Sequence, residues 1–354
     1  MNIGIVKETK PLEGRVALLP DGCLLLIKQQ HAVFIEQGAG QLSGYSDEQY
    51  RQIGVTVCST AEQLYHCCEL IVKVKEPTAV DLEHLTDKHT LFCFLHLAAN
   101  PKLADQLAGK GLTAVAYESV MENKQLPLLK PMSQIAGRLA VQIGSNLLHL
   151  QQGGMGLLLG GIDGSSEQGP VGRGQVLVLG AGSAGTQAAL LASKMGAKVF
   201  VFDRYVEALN QLKKHDPTIQ VLTEEDVCRA LLATTNLLVA ALLIPGKRSP
   251  RFISREQLKL MPKASVLVDI SVDQGGCVET TRPTSYQQPT YIEEGVLHFC
   301  VSNMPGAVPR TASQVLSALL PAYIHRLTLK NWYENDNIMH DAVNIKGGDV
   351  LVDV

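Results

Sequence analysis

The sequence predicts an α/β protein of two domains, each built on a parallel sheet, in which one domain is inserted into the other. Three observations lead to this prediction. Apolar runs alternate with amphipathic segments at the start of the chain, a glycine-rich turn follows an apolar run in mid-chain, and helical spacing returns after Pro309. Strands separated by helical patterns of roughly 10–15 residues indicate βαβ units and a parallel sheet. A length of 354 residues fits about two domains.

The first domain is predicted over residues 1–130 and is completed by residues 305–354. Its predicted strands are the apolar runs at 3–6, 32–35, 55–57, 70–74, 90–95 and 113–116. After Pro309 the apolar residues recur at helical spacing, at Val315, Leu319, Tyr323 and Leu327. This pattern predicts a long helix that returns to pack on the first domain.

The inserted domain is predicted over residues 131–304. It opens with an apolar helical pattern at 133–150, for which Ser133 is the predicted N-cap. Residues 153–174 are rich in glycine and predict a loop. The runs predicted as strands of its sheet are 175–179, 198–202, 237–242, 265–270 and 297–301.

A glycine fingerprint predicts that the inserted domain binds a dinucleotide. The predicted strand at 175–179 leads into GAGSAG at 180–185, a helical pattern follows over 186–195, and Asp203 ends the next predicted strand. The order of strand, G-x-G-x-x-G, helix and acidic residue is typical of the Rossmann fold. Because the first domain carries its own βαβ pattern, two Rossmann-like domains are expected.

Each fingerprint residue has a predicted role. Gly180 allows the tight turn, Gly182 lets the backbone approach the pyrophosphate, and Gly185 permits close packing of helix on strand. The helix N-terminus offers free N–H groups to the phosphates. Asp203 would bind the adenosine ribose and favours NAD, because a carboxylate repels the additional phosphate of NADP. Arg204 qualifies this preference, although an arginine there could also stack on the adenine or have no role.

The composition excludes several classes of protein. With a formal charge of −3, 46% hydrophobic and 18% charged residues, the chain is typical of a globular protein and lacks a polybasic tract for nucleic acid or an anionic membrane. Lys7, Glu8 and Lys10 interrupt the segment where a signal peptide is apolar, so a cytoplasmic protein is expected. The eight cysteines lack CxxC spacing; they are expected to be reduced core thiols, and no metal site is predicted.

Polar residues stand where predicted strands end, and ligands of open α/β sheets bind beyond these ends. Arg15 lies in the turn after the first strand, Lys75 ends the fourth strand, His96 ends the fifth, and Asp273 follows a strand of the inserted domain. Arginine can bind a carboxylate through two parallel hydrogen bonds, and histidine exchanges protons near neutral pH. His96 could equally be a core histidine, and Lys75, like Lys73, a solvated lysine. The coincidence of four such residues beside a nucleotide fold favours a site.

Six short motifs, in order along nearly the whole chain, resemble those of the bacterial alanine dehydrogenases. They are GRVAL at 14–18, VKVKEP at 72–77, FLHLAA at 94–99, PMS at 131–133, DQGGC at 273–277 and NMPGAVP at 303–309. The resemblance implies an NAD-dependent enzyme that oxidatively deaminates L-alanine to pyruvate and ammonium and catalyses the reverse reductive amination. Two segments differ from the family pattern, since the loop at 162–174 is longer and the tail after Lys346 is shorter.

The resemblance also implies residue roles. It assigns Arg15 and Lys75 to binding the substrate carboxylate and carbonyl, and His96 and Asp273 to acid–base chemistry. Ser133, Asn303 and Met304 would line the cofactor site. The residues leave open whether the histidine or the aspartate is the general base. Family members are typically homo-oligomers, hexamers or dimers, and the apolar C-terminal helix is an expected interface.

Two alternatives share this frame. The soluble nucleotide-binding subunit of proton-translocating transhydrogenase resembles the fold but would lack a substrate site. A related dehydrogenase acting on lysine, saccharopine or an opine would keep the frame with a different pocket. The presence of Arg15, Lys75, His96 and Asp273 together favours the alanine enzyme.

Overall fold

The computed structural model describes residues 1–162, 172–242 and 249–352. The chain forms two compact units, which we call unit 1 (Met1–Met132 with Pro305–Val354) and unit 2 (Ser133–Met304). Each unit contains a largely parallel sheet with helices, so the predicted α/β class is confirmed.

The helices and strands are short and alternate along most of the chain. The strands are β1 (Asn2–Ile5), β2 (Ala32–Glu36), β3 (Thr56–Cys58), β4 (Leu70–Val72), β5 (Thr90–Cys93), β6 (Thr113–Ala116), β7 (Gln175–Leu179), β8 (Lys198–Phe202), β9 (Gln220–Leu222), β10 (Leu237–Ala240), β11 (Val266–Asp269), β12 (Thr290–Glu293), β13 (Val296–Phe299), β14 (Val343–Lys346) and β15 (Asp349–Val350). The helices are α1 (Pro20–Lys28), α2 (Asp47–Arg51), α3 (Ala61–Cys67), α4 (Ala79–His84), α5 (Pro101–Ala108), α6 (Leu129–Leu147), α7 (Ser183–Lys194), α8 (Val206–His215), α9 (Glu225–Ala230), α10 (Arg255–Leu258), α11 (Pro309–Thr328), α12 (Trp332–Asn335) and α13 (Asn337–Asp341).

The sheet of unit 1 has the strand order β15-β14-β6-β5-β4-β1-β2-β3. Strands β1 to β6 pair in parallel, as predicted for βαβ units. Strand β14 pairs antiparallel with β6 and with β15, so the otherwise parallel sheet is mixed at this end. Strand β14 was not predicted because the polar residues Asn344 and Lys346 interrupt the apolar run by which the other strands were recognised.

Helix α11 packs within unit 1 through buried hydroxyl groups as well as apolar contacts. The Ser313 hydroxyl accepts a hydrogen bond from the Val16 N–H at 2.9 Å, and that of Ser317 accepts one from the Leu19 N–H at 2.8 Å. These bonds satisfy buried backbone donors in the segment that carries Arg15. The apolar side of α11 is buried by its own chain, so its apolar pattern by itself no longer argues for an oligomer interface.

The sheet of unit 2 has the strand order β12-β13-β11-β10-β7-β8-β9. Strands β7 to β11 and β13 pair in parallel, and β12 pairs antiparallel with β13 at the edge. All five residues of β7 are buried, which explains its continuous apolar run. The carboxyl ends of β7, β8 and β11 carry the fingerprint loop, Asp203 and the segment with Asp273.

Three predictions, on the start of α6, on the cysteines and on the loop at 162–174, need correction or qualification. Helix α6 begins at Leu129 and not at Ser133, because Pro131 is accommodated in a first helical turn. Ser133 is therefore not an N-cap. Cys67 is exposed, whereas the other seven cysteines are buried thiols as predicted. The long loop predicted at 162–174 lies mostly outside the described residues.

Candidate functional site

Arg15 is a buried side chain in the segment after β1. Its Nε and Nη2 atoms donate hydrogen bonds to the two carboxylate oxygens of Glu13, at 2.7 and 2.6 Å. Its Nη1 atom lies 3.5 Å from the Met132 sulfur. Arg15 and Glu13 line a small cavity with Glu8 and Leu42. A buried guanidinium that a carboxylate holds along one edge has a fixed orientation, and its planar geometry suits the recognition of a carboxylate.

Lys75 lies beyond the end of β4 and is mostly buried. Its Nζ atom is 3.1 Å from a carboxylate oxygen of Glu76, whose other oxygen accepts a hydrogen bond from Lys10. Burial alone would raise the pKa of Glu76, but Lys75 and Lys10 lower it to about 2. Glu76 is therefore ionised at neutral pH and holds the Lys75 ammonium beside the strand end.

A buried ionic network, which the sequence patterns did not reveal, supports this strand end. Lys73 has no exposure, so the expectation that it is solvated is wrong; its Nζ atom lies 3.4 Å from Glu8 and 3.3 Å from Asp81. Glu8 accepts the backbone N–H bonds of Val74 and Lys75 at 2.7 and 3.1 Å. Because desolvation is its largest influence, the pKa of Glu8 is raised. The network fixes the backbone of the residue predicted to bind substrate.

His96 is an exposed residue at the end of β5, so the alternative that it is a core histidine is wrong. Its backbone is left-handed, with φ of +50°. Its N–H donates to Glu118 Oε1 at 2.6 Å, and the same oxygen lies 3.8 Å from His96 Nδ1. The imidazole also stacks on Phe94. A strained conformation held by a carboxylate is typical of functional residues.

Three adjacent strands position these side chains. Strands β5, β4 and β1 are consecutive neighbours in the sheet of unit 1, and His96, Lys75 and Arg15 follow their carboxyl ends. Sequence analysis predicted this arrangement from the strand ends. It missed Glu13 and Glu118, because a carboxylate that orients a neighbour through backbone N–H groups leaves no periodic signal.

In unit 2, the fingerprint glycines meet different surroundings. A β-carbon at Gly185 would overlap the Gly180 carbonyl oxygen, and one at Gly180 would lie 2.7 Å from the Ala241 carbonyl oxygen. A β-carbon at Gly182 would meet no described protein atom within 4 Å. Open space at Gly182, at the start of α7, is the feature that a pyrophosphate needs.

Asp203 closes the fingerprint loop from the end of β8. Its carboxylate accepts the Ala181 N–H at 2.7 Å and the Tyr205 N–H at 2.9 Å. Arg204 lies with its guanidinium over the Tyr205 ring, 4.9 Å from the centroid. The carboxylate is thus fixed beside the glycine-rich turn, where a ribose hydroxyl would be bound.

Asp273 and Asn303 lie close together in unit 2. Asp273 is exposed in the short 3₁₀ turn Val272–Gln274, and its Oδ2 atom accepts the Asn303 backbone N–H at 3.4 Å. Asn303 adopts φ of +64°, and the buried Met304 accepts a hydrogen bond from Tyr286 at its carbonyl. Ser133 lies half-buried within α6.

Two other kinds of site are absent from the part of the chain that the structure describes. Over the described ranges, no group of three or more His, Cys, Asp or Glu side chains is arranged to hold a metal ion. No helix in those ranges is long and apolar enough to cross a membrane.

Comparisons with known proteins agree over both units. Residues 4–136 match the family model described as alanine dehydrogenase/PNT, N-terminal domain, and residues 140–353 match that of the C-terminal domain. The alanine dehydrogenase of Bacillus subtilis (strain 168) is 42% identical over 334 residues, which cover 93% of this chain and 86% of that protein. The alanine dehydrogenase of Mycobacterium tuberculosis (strain ATCC 25618 / H37Rv) is 39% identical over 339 residues, covering 94% and 89%.

Solved structures give the same picture of the fold. A structure of an L-alanine dehydrogenase has a TM-score of 0.92 and 41% identity, and the match covers 99% of this chain and 97% of that chain. A transhydrogenase from Sinorhizobium meliloti has a TM-score of 0.84 at 24% identity, over 99% of both chains. The second likeness indicates a shared fold alone.

Proposed function

The chain belongs to the alanine dehydrogenase/PNT family, and from this premise we infer that it is an NAD-dependent oxidoreductase that deaminates L-alanine to pyruvate and ammonium. The same site catalyses the reductive amination of pyruvate in reverse. One observation carries the assignment: Arg15, Lys75 and His96 follow the carboxyl ends of three adjacent parallel strands, the side of such a sheet on which ligands bind.

Arg15 and Lys75 bind the substrate in this proposal. The guanidinium of Arg15, oriented by Glu13, supplies positive charge to the substrate carboxylate. Lys75, paired with Glu76, adds a positive charge that offsets the carboxylate and polarises the keto oxygen of pyruvate in the reverse direction. Both side chains are held by carboxylates, so little side-chain entropy is lost on binding.

The residues of unit 2 fit a dinucleotide. A pyrophosphate would lie against the Gly182 backbone and the start of α7, where space is open, and Asp203 would bind the adenosine ribose. The carboxylate of Asp203 favours NAD over NADP, while Arg204 is engaged with the Tyr205 ring. Ser133, Asn303 and Met304 are proposed to line the remainder of the cofactor site. When bound, NAD accepts the hydride from the α-carbon of alanine.

The protein supplies the proton transfers. The alanine ammonium must lose a proton before the hydride leaves, and a water must then attack the resulting iminium carbon and lose a proton. We assign these transfers to His96 and Asp273, both of which are exposed. The amine nitrogen is then protonated, the C–N bond breaks as the carbinolamine hydroxyl loses its proton, and the released ammonia takes up a proton, which gives pyruvate and ammonium. Glu118 fixes the backbone of His96 during these steps.

The substrate assignment is tested by a panel of amino acids. Initial rates of NADH formation are measured with NAD and L-alanine, L-lysine, saccharopine or no amino acid, and repeated with NADP. Turnover selective for L-alanine with NAD is expected. Turnover with L-lysine or saccharopine alone would assign the chain to a related dehydrogenase, and NADH binding without any turnover would favour a coupling subunit of the transhydrogenase type.

We further propose a cytoplasmic homo-oligomer, a hexamer or a dimer. Helix α11 presents exposed Ala318 and Ala322 beside half-buried Val315 and Leu319, a small-residue face that could lie against a second copy. Light scattering coupled to size-exclusion chromatography should give a mass that is a multiple of 38.2 kDa. A monomeric mass at micromolar concentration would contradict this proposal.

A further inference from the structure

Asp269 is a buried carboxylate that the proposed chemistry does not use. It is the last residue of β11 and has no solvent exposure, so it cannot contact a substrate. Its Oδ1 atom accepts the Ser271 N–H at 2.8 Å, and its Oδ2 atom accepts the Cys277 N–H at 3.3 Å. Burial raises the pKa of Asp269 to about 6, and the nearby charge of Asp273 adds to the rise, while hydrogen bonds from Thr281, Ser271 and Cys277 oppose it.

The two amide groups that Asp269 binds bracket Asp273 along the chain. Between them the loop makes the 3₁₀ turn Val272–Gln274 and closes on itself, since the Gly276 N–H donates to the Ser271 carbonyl at 3.1 Å. The loop lies directly against the carboxylate, because a β-carbon at Gly276 would be 2.8 Å from Asp269 Oδ2. Gly276 also has φ of +67°, which disfavours any other residue.

Other contacts fix the same loop from outside. The Ser271 hydroxyl donates to the Leu242 carbonyl at 2.7 Å, and the Ser249 N–H donates to the Gln274 carbonyl at 2.8 Å. The only ionised group among these contacts is the Asp269 carboxylate, which binds both ends of the loop. Placing a charge in a fully buried position is costly unless its hydrogen bonds are retained.

We propose that Asp269 is a positioning residue that closes the loop at 271–277 and thereby sets the place and direction of the Asp273 carboxylate. The inference rests on the proposed function, in which Asp273 takes part in acid–base chemistry. Asp269 acts only through this loop, so its removal should impair catalysis without impairing NADH binding.

The primary variant is Asp269→Asn. An amide keeps one acceptor oxygen and places N–H groups against a backbone donor, so one end of the loop loses its partner. We expect kcat for L-alanine deamination to fall by a factor on the order of 100, because a displacement of about 1 Å at a reacting group has this effect. The dissociation constant of NADH, measured by fluorescence titration, should stay within about twofold of wild type.

Two further variants separate positioning from general stability. Asp216→Asn makes the same change at a surface turn of the same unit, where Asp216 accepts the Thr218 N–H at 3.0 Å, and should leave kcat within about twofold. In an Asp273→Ala background, adding Asp269→Asn should lower kcat by less than about threefold, because the group to be positioned is already absent.

Several results would overturn the proposal. They are a kcat of Asp269→Asn within about threefold of wild type, loss of NADH binding together with activity, or losses that multiply fully in the double variant.

If Asp269→Asn does not fold, the Thr281→Val variant tests the proposal in its place. This substitution removes a hydroxyl that hydrogen-bonds Asp269 with little change in volume. A kcat lowered about fivefold at an unchanged melting temperature supports positioning, and an unchanged kcat contradicts it. A wild-type chain without alanine turnover would instead refute the proposed function.

Discussion

At the scale of single residues, Glu118 fixes the backbone of His96, the residue to which we assign proton transfer. The left-handed backbone at His96 is held by a hydrogen bond from its N–H to Glu118, and the imidazole remains exposed. The carboxylate therefore fixes the backbone that carries the imidazole without covering the ring. Because the ring is exposed, the role of the imidazole in catalysis can be tested separately from the stability of the fold.

His96→Ala should lower kcat for L-alanine by roughly 10²- to 10⁴-fold, the usual contribution of a general acid or base. The side chain is 41% exposed, so the melting temperature and the NADH dissociation constant should change little. Steady-state rates and fluorescence titration measure the two effects. His66→Ala, on an exposed position of α3 in the same unit, is the matched control. Loss of NADH binding in the His96 variant would show that the histidine is structural.

Asp203→Asn should weaken the discrimination against NADP. The carboxylate lies beside the glycine-rich turn, where its charge would repel the additional phosphate, and an amide lacks that charge. A change of roughly tenfold in the ratio of kcat/KM values for NAD and NADP is expected, equivalent to about 1.4 kcal/mol. Asp216→Asn should leave the ratio unchanged. An unaltered ratio in the Asp203 variant would remove this residue from cofactor selection.

Glu76→Gln should destabilise the protein at neutral pH and less so in acid. The folded pKa of Glu76 is about 2 against 4.5 in the unfolded chain, so the ionised form stabilises the fold above pH 4.5, and this contribution is lost as the pH falls through 2. The difference corresponds to about 3 kcal/mol in the free energy of unfolding. Urea denaturation measures the free energy of unfolding at each pH. The difference in this free energy between the variant and wild type should be smaller near pH 3 than at pH 7.

The control for this experiment is Glu62→Gln, at an exposed position of α3 in the same unit. Its free energy of unfolding should follow that of wild type within about 0.5 kcal/mol at each pH. A Glu76 variant whose loss of stability is the same at both pH values would contradict the assignment of the effect to the ionised carboxylate.

Sequence reasoning at this scale recognised residues that end strands and missed those that orient them. Arg15, Lys75 and His96 were predicted because strand ends in parallel sheets carry ligand-binding groups. Glu118 and Asp269 gave no signal, because each acts by accepting backbone N–H bonds from a loop. Lys73 was misjudged, since its burial depends on Glu8, 65 residues away in the chain.

At the scale of elements, the fingerprint loop and α7 offer a test that separates folding from ligand binding. Gly182→Ala should fold normally, because a β-carbon there meets no described atom within 4 Å and the backbone φ is −69°. The methyl group would occupy the space expected for the pyrophosphate, so the NADH dissociation constant should rise roughly tenfold or more. Unchanged NADH affinity would contradict the placement of the cofactor.

Gly185→Ala is the contrasting variant in the same helix. Its β-carbon would overlap the Gly180 carbonyl oxygen, so α7 would have to move away from β7. We expect a melting temperature lowered by more than about 5 °C, or an insoluble protein. A Gly185 variant as stable as Gly182→Ala would show that the helix can shift without cost.

The buried strands of unit 2 were predictable from their apolar runs. Strands covered on both faces read as continuous apolar runs, which is how β7, β8 and β10 were recognised. Strand β12, at an edge, and strand β14, between β15 and β6, have no such run and were missed. The start of α6 was misplaced because Ser133 is a good N-cap residue by type, whereas the helix begins four residues earlier at Leu129.

At the scale of the whole molecule, the fold alone does not decide the function. The transhydrogenase structure shares the architecture over 99% of both chains at 24% identity. The assignment of alanine dehydrogenase activity rests instead on the relatives at about 40% identity and on the residues that follow β1, β4 and β5. Function therefore follows from side chains placed on a frame that more than one activity uses.

The most direct measurement of the central claim is product stoichiometry. The chain is incubated with NAD and L-alanine, and NADH, pyruvate and ammonium are quantified in the same sample. Alanine oxidation balances only if one of each product forms per turnover, and we predict equal amounts that fall together in the His96→Ala variant. NADH bound but not formed from L-alanine, or NADH formed without pyruvate and ammonium, would contradict the assignment of alanine dehydrogenase activity.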